Sequence, residues 1–241
     1  MKSGVKLTFA GQAGFIIQNE NGYRIGIDLY LSDCCERYFG FKRLMPYIFN
    51  TSDLQLDLLV STHAHYDHFD PDSVPVIMSD KNVSLVAAAD VEAEAVRLNL
   101  DKSRITYLKE GCIFENENVL IKAMPCDHGK DTPDAIGLLI CVDGKKIYIA
   151  GDTCFREDYF KNDELKTLDV MIMPINGAFG NLNEFEGAKA AGIVKPRLAI
   201  PCHYWNFAEH GGNPNIFAEE MKSKNPDINY LLMRAGETIS I

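Results

Sequence analysis

The chain has 241 residues, of which 46% are hydrophobic and 24% are charged. This balance is typical of an ordinary globular protein, and it excludes intrinsic disorder, collagen-like and coiled-coil compositions for most of the chain. The formal net charge is −10, which disfavours partners with a phosphate backbone and anionic membrane surfaces. We therefore expect a small-molecule partner, no long nucleic acid and no membrane.

The apolar runs and the cysteines indicate where the protein works. Stretches such as Ala135–Val142 are far shorter than the 18 residues or more of a membrane span, and no basic segment followed by an apolar run marks an export signal near Met1. The seven cysteines are an odd number and include no C-x-x-C pair. They are predicted to be reduced thiols in a cytoplasmic protein.

The first half of the chain contains short runs rich in Ile, Phe and Tyr, separated by Gly and Asn turn signals such as Asn21-Gly22. One helix is predicted to begin at Asp70-Pro71, with the aspartate as N-cap and the proline in the first helical position, and another over Asp90–Leu100. The predicted strands of this half are Lys6–Ala10, Gly14–Gln18, Arg24–Leu29, Asp57–Thr62 and Ser84–Ala88.

The second half repeats this style without repeating the sequence. Helices are predicted over Asn183–Ile193 and Asn215–Ser223, and Asp143-Gly144 predicts a hairpin turn. The predicted strands are Val119–Met124, Ile136–Val142, Lys146–Ala150, Asp169–Pro174 and Leu198–Pro201. Many strands in each half with helices outside predict an α/β protein of two packed sheets covered by helices, forming a single domain over residues 1–241.

The densest chemical signal is the segment Thr62–His68, which holds three histidines and a carboxylate directly after an apolar run. His63 and His65 are two residues apart, so in extended backbone both side chains face the same metal ion. Asp67 and His68 follow where the chain turns, and they are predicted to face a second metal ion. Imidazole and carboxylate ligands suit zinc, iron, manganese or nickel.

Three further ligand candidates lie downstream. His128, Asp152 and His203 each follow an apolar run that is predicted to be a strand. Strands that end at one edge of a sheet can bring such side chains together. The dense upstream motif favours metal binding by these residues over ordinary turn and loop roles.

The Thr62–His68 segment resembles the H-x-H-x-D-H signature of the metallo-β-lactamase fold superfamily. The resemblance implies a four-layer αββα sandwich of two mixed β-sheets flanked by helices. It also implies a cofactor of two divalent metal ions, with zinc or manganese favoured and iron or nickel also suited. The implied ligands are His63, His65 and His128 for one ion, Asp67, His68 and His203 for the other, and Asp152 as a bridge.

Other segments look like the L-ascorbate-6-phosphate lactonase-like branch of that superfamily, including Phe9–Phe15, Pro174–Gly177, Gly180–Asn183 and Ile200–His203. A dinuclear centre of this kind lowers the pKa of a shared water, and the hydroxide attacks a carbonyl carbon or a phosphorus. Asp67 is predicted to be catalytic, because a carboxylate beside the water can orient it and then pass on its proton.

Several residues near these motifs are candidates for supporting roles. Substrate binding is predicted for Asn176, Asn181, Tyr204 and Lys130, and Gln12, Asn183, Trp205 and Arg156 are weaker candidates of the same kind. Asp28 and Asp127 are candidates for orienting the imidazoles. His210 lies in a glycine-rich loop and is expected to be solvated rather than a ligand. Cys154 and Cys202 are expected to be small packed residues.

The leading hypothesis is a metal-dependent hydrolase that opens a small ester or lactone, a phosphorylated sugar lactone among them. A phosphodiesterase or nuclease on the same site is the alternative. A di-iron redox protein is disfavoured because redox members of the superfamily carry Glu where this chain has His65. A β-lactamase is disfavoured because it would be exported and normally lacks the bridging aspartate. A non-catalytic metal-binding protein is disfavoured by the complete ligand set. The substrate, the native metal and the oligomeric state, a homo-oligomer included, stay open.

Overall fold

The computed structural model describes residues 4–241, whose strands form two seven-stranded sheets. Met1–Ser3, where the segment searched for an export signal begins, lie outside the described residues. The first sheet contains β1 (Lys6–Gly11), β2 (Gly14–Gln18), β3 (Arg24–Ile27), β4 (Leu58–Ser61), β5 (Ser84–Ala88), β6 (Ile105–Leu108) and β14 (Thr238–Ser240). The second contains β7 (Ile113–Glu115), β8 (Leu120–Met124), β9 (Gly137–Val142), β10 (Lys145–Ile149), β11 (Val170–Pro174), β12 (Leu198–Cys202) and β13 (Asn229–Tyr230).

The α-helices are short and lie outside the sheets. They are α1 (Cys34–Phe39), α2 (Ser73–Met78), α3 (Glu92–Arg97), α4 (Glu157–Phe160), α5 (Glu184–Val194) and α6 (Pro214–Lys224). Asn183 caps α5 in a reciprocal capping box with Glu186, and Pro214 starts α6 behind the Asn213 cap. Within residues 4–241, no helix is long and apolar enough to cross a membrane.

The two sheets have the same order of pairing. The first runs β14-β1-β2-β3-β4-β5-β6 and the second β13-β12-β11-β10-β9-β8-β7. In each sheet the strands are antiparallel on one side and parallel on the other, with β3 and β10 where the pairing changes. β14, from the end of the chain, pairs with β1 and forms one edge of the first sheet.

The layers follow from the alternation of side chains along each strand. One face of both sheets contributes to a shared core, with Phe15, Ile27 and Val60 from the first sheet and Ile140 and Ile172 from the second. The opposite face of the first sheet packs on α2 and α3, and that of the second sheet packs on α5 and α6. This confirms the predicted four-layer arrangement of two mixed sheets flanked by helices.

Most predicted elements occur within one or two residues of their predicted bounds, but two helices differ. The helix expected at Asp70-Pro71 begins at Ser73, after a turn in which the Asp70 carbonyl oxygen accepts the N–H of Val74 and its carboxylate accepts the N–H groups of Asp72 and Ser73. The buried Asp70 thus accepts hydrogen bonds as the predicted N-cap does, and it also joins this turn to the loop of Leu31 and Ser32. The helix predicted over Asp90–Leu100 is a 3₁₀ turn followed by the shorter α3.

The strand ends place the chemistry at one edge of the sandwich. The loops that follow four strands meet at this edge, namely the loops after β4, β8, β10 and β12. The turn after β10 is tight: Gly151 has a φ of +68°, and a Cβ atom at this position would lie 2.8 Å from the Ile136 carbonyl oxygen. Only glycine fits both the backbone conformation and the close approach.

Replacing Gly151 with alanine should therefore destabilise the protein by about 2–4 kcal/mol through left-handed strain and the backbone clash. Gly144→Ala is the matched control, since Gly144 has a φ of +75° with open space around its Cβ position, and it should cost only about 1 kcal/mol. Thermal unfolding of both variants measures the difference. Equal melting temperatures would contradict the role of the close approach.

Candidate metal centre

The seven predicted ligands come from loops that directly follow four strands. The motif with His63, His65, Asp67 and His68 follows β4, and His128, Asp152 and His203 follow β8, β10 and β12. After His65 the chain makes a helical turn, in which the His65 carbonyl oxygen accepts the backbone N–H groups of His68 and Phe69. The Ser61 hydroxyl sits inside this loop, 2.9 Å from the His63 carbonyl oxygen.

Three imidazoles form the first cluster. His65 Nδ1 lies 3.0 Å from His63 Nε2 and 3.1 Å from His128 Nε2. The ligand atoms of all three residues lie within 4.8 Å of one another. Ligand atoms about 2.1 Å from a tetrahedral metal ion lie about 3.4 Å apart, so this spacing suits a single ion.

The second cluster combines a carboxylate with two imidazoles. His203 Nε2 lies 3.1 Å from His68 Nε2 and 3.2 Å from an Asp67 carboxylate oxygen. The Asp67 oxygen is 3.6 Å from His68 Nε2. These distances match the spacing of ligands around one ion as well, and the set is the one implied by the resemblance.

Asp152 lies between the two clusters. One of its carboxylate oxygens is 3.1 Å from His203 Nε2 and 3.8 Å from His128 Nε2, and the other is 3.4 Å from His68 Nε2. The Asn181 side chain donates a hydrogen bond of 2.7 Å to Asp152 Oδ2. Asp152 thus occupies the position of a bridging ligand, held by an amide behind it.

Asp28 orients ligands in both clusters. Its carboxylate accepts His68 Nδ1–H at 2.9 Å and the Thr62 hydroxyl at 2.7 Å. Because the hydroxyl donates to Asp28, it accepts Nδ1–H of His63, 3.1 Å away. Both imidazoles therefore turn Nε2 toward the cluster, as a metal ligand requires. Asp127, the other predicted orienting residue, instead pairs with Arg156 at 3.2 Å.

Gln12 supports the second cluster from behind. Its side-chain amide donates to Asp67 Oδ2 at 2.8 Å, and its backbone carbonyl accepts the N–H of His203 at 2.8 Å. Gln12 is completely buried and has a φ of +54°. Its contacts place both Asp67 and His203 relative to the β1–β2 turn.

The charges of the centre depend strongly on one another. Burial lowers the pKa of His63, His65 and His128 below the usual range, so these imidazoles are neutral. Burial acts in the same direction on His203, but Asp152 and Asp67 outweigh it and raise its pKa to about 9. Asp152, Asp67 and Asp28 likewise raise the pKa of His68 despite its burial. In return, His68 and His203 keep the pKa of both Asp67 and Asp152 low against the effect of burial.

The donor set fits divalent metal ions. Neutral imidazoles and ionised carboxylates are the forms that bind metals, and only His68 and His203 would exchange a proton for a metal ion. Nitrogen and oxygen donors at these spacings suit zinc, manganese, iron and nickel, so the donor types do not select among these metals. Two divalent ions would neutralise the negative charge of the buried carboxylates, which are largely shielded from water.

His210 differs from its expectation. The sequence predicts a solvated loop residue, but His210 is buried, its ring stacks on His203 at 4.8 Å, and its Nδ1 accepts a 3.3 Å hydrogen bond from the Gln12 amide. Two glycines allow this, since a Cβ on Gly211 would lie 2.6 Å from the Asn176 carbonyl oxygen and one on Gly212 would lie 2.9 Å from that of Ile175. The two glycines after His210 are the sequence feature that indicates this close approach of the loop to the backbone of Ile175 and Asn176.

The centre opens into a cavity of about 760 Å³. Five of the seven ligands reach its wall: His65, Asp67, His128, Asp152 and His203. The rest of the wall is mainly aromatic, with Phe39, Phe41, Tyr66, Phe179 and Phe207, together with His210. A substrate in this cavity therefore meets the ligands on one side and aromatic rings on the other.

The residues predicted to bind substrate lie around this cavity rather than in its wall. Asn181 is bonded to Asp152, and Asn176 is buried with its amide near the Ala178 carbonyl oxygen. Tyr204 is buried in the core beside the second sheet, and Lys130 is exposed. A contact of these four side chains with substrate stays a prediction. Sequence patterns did not indicate the aromatic wall.

The cysteines carry no disulfide in residues 4–241, which include all seven of them. Cys202 is buried in the core between the sheets, as expected for a packed residue. Cys34 and Cys35 are buried against Tyr30 and Phe207, and the Cys35 side chain reaches the cavity. Burial raises the pKa of Cys202, so it stays a thiol.

Comparisons with known proteins agree with this geometry. The chain is 29% identical over 244 residues to a UPF0173 metal-dependent hydrolase of Pyrococcus abyssi, covering 98% of this chain and 100% of the relative. A novel metallo hydrolase from Ignicoccus hospitalis has a TM-score of 0.79 and 24% identity, covering 99% of both chains. An isothiocyanate hydrolase from Delia radicum gut bacteria has a TM-score of 0.76 and 20% identity, covering 98% of both. At these identities the two structures show the shared fold.

A family model described as a beta-lactamase superfamily domain matches residues 6–203. That range covers most of the chain and includes both ligand clusters, Asp152 and the predicted signature motif. Together with the two mixed sheets and the flanking helices, the match confirms the superfamily but does not distinguish the lactonase-like branch. The chain belongs to the beta-lactamase superfamily, with the metallo-β-lactamase fold.

Proposed function

We propose that the protein is a hydrolase that binds two divalent metal ions and opens a small ester or lactone. The observation that supports this most directly is the pair of ligand clusters on either side of Asp152, which open into one cavity. The relatives named as metal-dependent hydrolases, such as the one from Pyrococcus abyssi, support the same reaction class. A cytoplasmic location and a small-molecule substrate belong to this proposal.

The chemistry divides between the ions and the chain. When bound, two divalent ions supply an activated water and stabilise negative charge on the attacked oxygen. Asp67 is the protein group placed to hold and move the proton of the attacking water, because it lies at the cavity wall as an ionised carboxylate. Gln12 fixes one of its oxygens through the 2.8 Å hydrogen bond, which orients Asp67 toward the cavity.

The phosphodiesterase reaction is the second reading of the same centre. It uses the same ligands, and the net charge of −10 disfavours long nucleic acids as its substrates. The resemblance to the lactonase-like branch also suggests a phosphorylated sugar lactone. Of the two cations among the predicted substrate-binding residues, Lys130 and Arg156, Arg156 is engaged with Asp127 and Asp158.

Removal of metal should abolish hydrolysis and lower thermal stability. Ions that bind only the folded protein stabilise it by about 4 kcal/mol at a concentration a thousandfold above Kd. The experiment measures metal content, melting temperature and turnover of a panel of lactones, esters, phosphodiesters and thioesters before and after chelation. Two ions per chain and lactone or ester turnover are expected. Unchanged stability and activity after chelation would contradict the proposal, and turnover of phosphodiesters alone would favour the second reading.

Metal binding should release protons at neutral pH. Without metal, His203, with its pKa near 9, and His68, with its raised pKa, both carry a proton at pH 7. These protons must leave when the imidazoles bind metal, so affinity should rise about tenfold per pH unit for each proton released, up to about pH 9. Calorimetry in two buffers of different ionisation enthalpy counts the protons. Binding without proton release would contradict the protonation of these two imidazoles in the metal-free protein.

Asp67→Asn should lower kcat about 10²- to 10⁴-fold while KM changes little, because the amide keeps the shape but cannot accept the proton. The matched control is Asp131→Asn, which changes a carboxylate in the same cavity wall outside the ligand set. Steady-state kinetics with metal content measured on each variant separate catalysis from metal loss. Near-normal turnover by a fully metal-loaded Asp67→Asn protein would exclude this role.

A further inference from the structure

The aromatic side of the cavity contributes no group to the hydrolytic reaction. Phe179 and Phe39 are exposed to 59% and 57%, although both are large apolar residues. They lie around the open cavity together with Phe41 and Tyr66. Exposed apolar side chains gathered around a concave site mark a binding surface rather than ordinary protein surface.

This surface is continuous with the metal centre. The ring of His210 stacks on the ligand His203, and the rings of Phe207, Phe179 and Phe41 lie 4.9, 5.4 and 6.0 Å from His210. Phe41 also contacts Phe179 at 5.8 Å. A group attached to a reacting carbonyl at the ligands would therefore lie directly against these phenylalanines.

Phe179 is held in this position at a conformational cost. Its φ of +55° is rare for a bulky residue. It lies between Gly177 and Gly180, both of which also have positive φ angles. Strain of this kind persists where the surrounding structure fixes a side chain, and here the loop directs a phenylalanine into the cavity.

The cavity offers no positive side chain to an anionic substituent. Within residues 4–241, no lysine or arginine lines it, and the acidic Asp131 does. Three arginines of neighbouring segments are engaged elsewhere: Arg97 pairs with Glu94, Arg156 with Asp127, and Arg43 donates to the carbonyl oxygens of Tyr30 and Ser32. Lys130 precedes Asp131 in the chain and is exposed outside the cavity wall. A charged group against the aromatic rings would lose its hydration without gaining a partner.

We propose that the substrate is a neutral ester or lactone carrying an aryl or alkyl group, and that Phe41, Phe179 and Phe207 bind this group. The proposal rests on the proposed hydrolysis and names the substrate class of the same centre. A volume of about 760 Å³ accommodates such a substituent beside the reacting group. The substituent is bound by apolar burial, and its lack of charge avoids repulsion from the Asp131 carboxylate.

The test compares three γ-butyrolactones: the unsubstituted ring, one with a γ-phenyl group and one with a γ-phosphooxymethyl group. In the metal-loaded protein, the phenyl lactone should have a kcat/KM at least tenfold above that of the unsubstituted lactone. Burial of a phenyl group strengthens binding by more than tenfold. The phosphorylated lactone should not exceed the unsubstituted one. A preference for the phosphorylated lactone, or no gain from the phenyl group, would overturn the proposal.

Phe179→Ala should remove most of the gain from the phenyl group, measured as the ratio of kcat/KM for the phenyl lactone to kcat/KM for the unsubstituted lactone. Phe185→Ala is the matched control, because Phe185 is 55% exposed on α5 and is absent from the cavity wall. Phe179→Arg should raise kcat/KM for the phosphorylated lactone by introducing the missing cation. Equal effects of the Phe179 and Phe185 substitutions would contradict binding by Phe179.

A direct binding measurement separates this proposal from the proposed reaction. Saturation-transfer NMR on the Asp67→Asn protein should show the phenyl lactone bound and the phosphorylated lactone unbound, with the phenyl signal lost when Phe179→Ala is added. If no lactone or ester is hydrolysed but this binding pattern holds, the reaction is wrong and the ligand class stands. If the phenyl lactone does not bind, the ligand class is wrong.

Discussion

The metal centre depends on a single buried carboxylate, Asp28, at the end of β3. It contacts His68 directly and His63 through the Thr62 hydroxyl, so it orients one imidazole in each ligand cluster. It also accepts the backbone N–H of Thr62 at 2.8 Å, which fixes the start of the motif loop. Asp28 has a φ of +47°, a conformation that aspartate tolerates better than most residues. One side chain thereby sets the geometry of two clusters.

The ligands could be predicted from sequence because their chemistry is local. Four of them lie within six residues of one another, and the other three follow apolar runs whose strand character is clear. The strands themselves are buried on both faces or alternate regularly, so their patterns are strong. Short strands at the sheet edges, such as β13 and β14, and the short helices α1 and α4 have too few residues to give a periodic signal.

The cavity wall could not be predicted in the same way. Its phenylalanines come from the end of α1 and the segment after it, the loop before α5 and the loop after β12, which are distant in sequence and adjacent only in the fold. His210 was missed because burial of a loop histidine depends on the approach of Gly211 and Gly212 to the backbone after β11. Loops determine what this centre binds, whereas strand ends determine that it binds metal.

The ligand clusters draw on both sheets, and this has a mechanical consequence. His68 and His203, only 3.1 Å apart at Nε2, are separated by 135 residues of chain. An ion held by both would act as a cross-link between the two halves, comparable in its effect on chain entropy to a disulfide that closes a long loop. The sheets also share the core between them. Metal loading should therefore strengthen the docking of one sheet on the other.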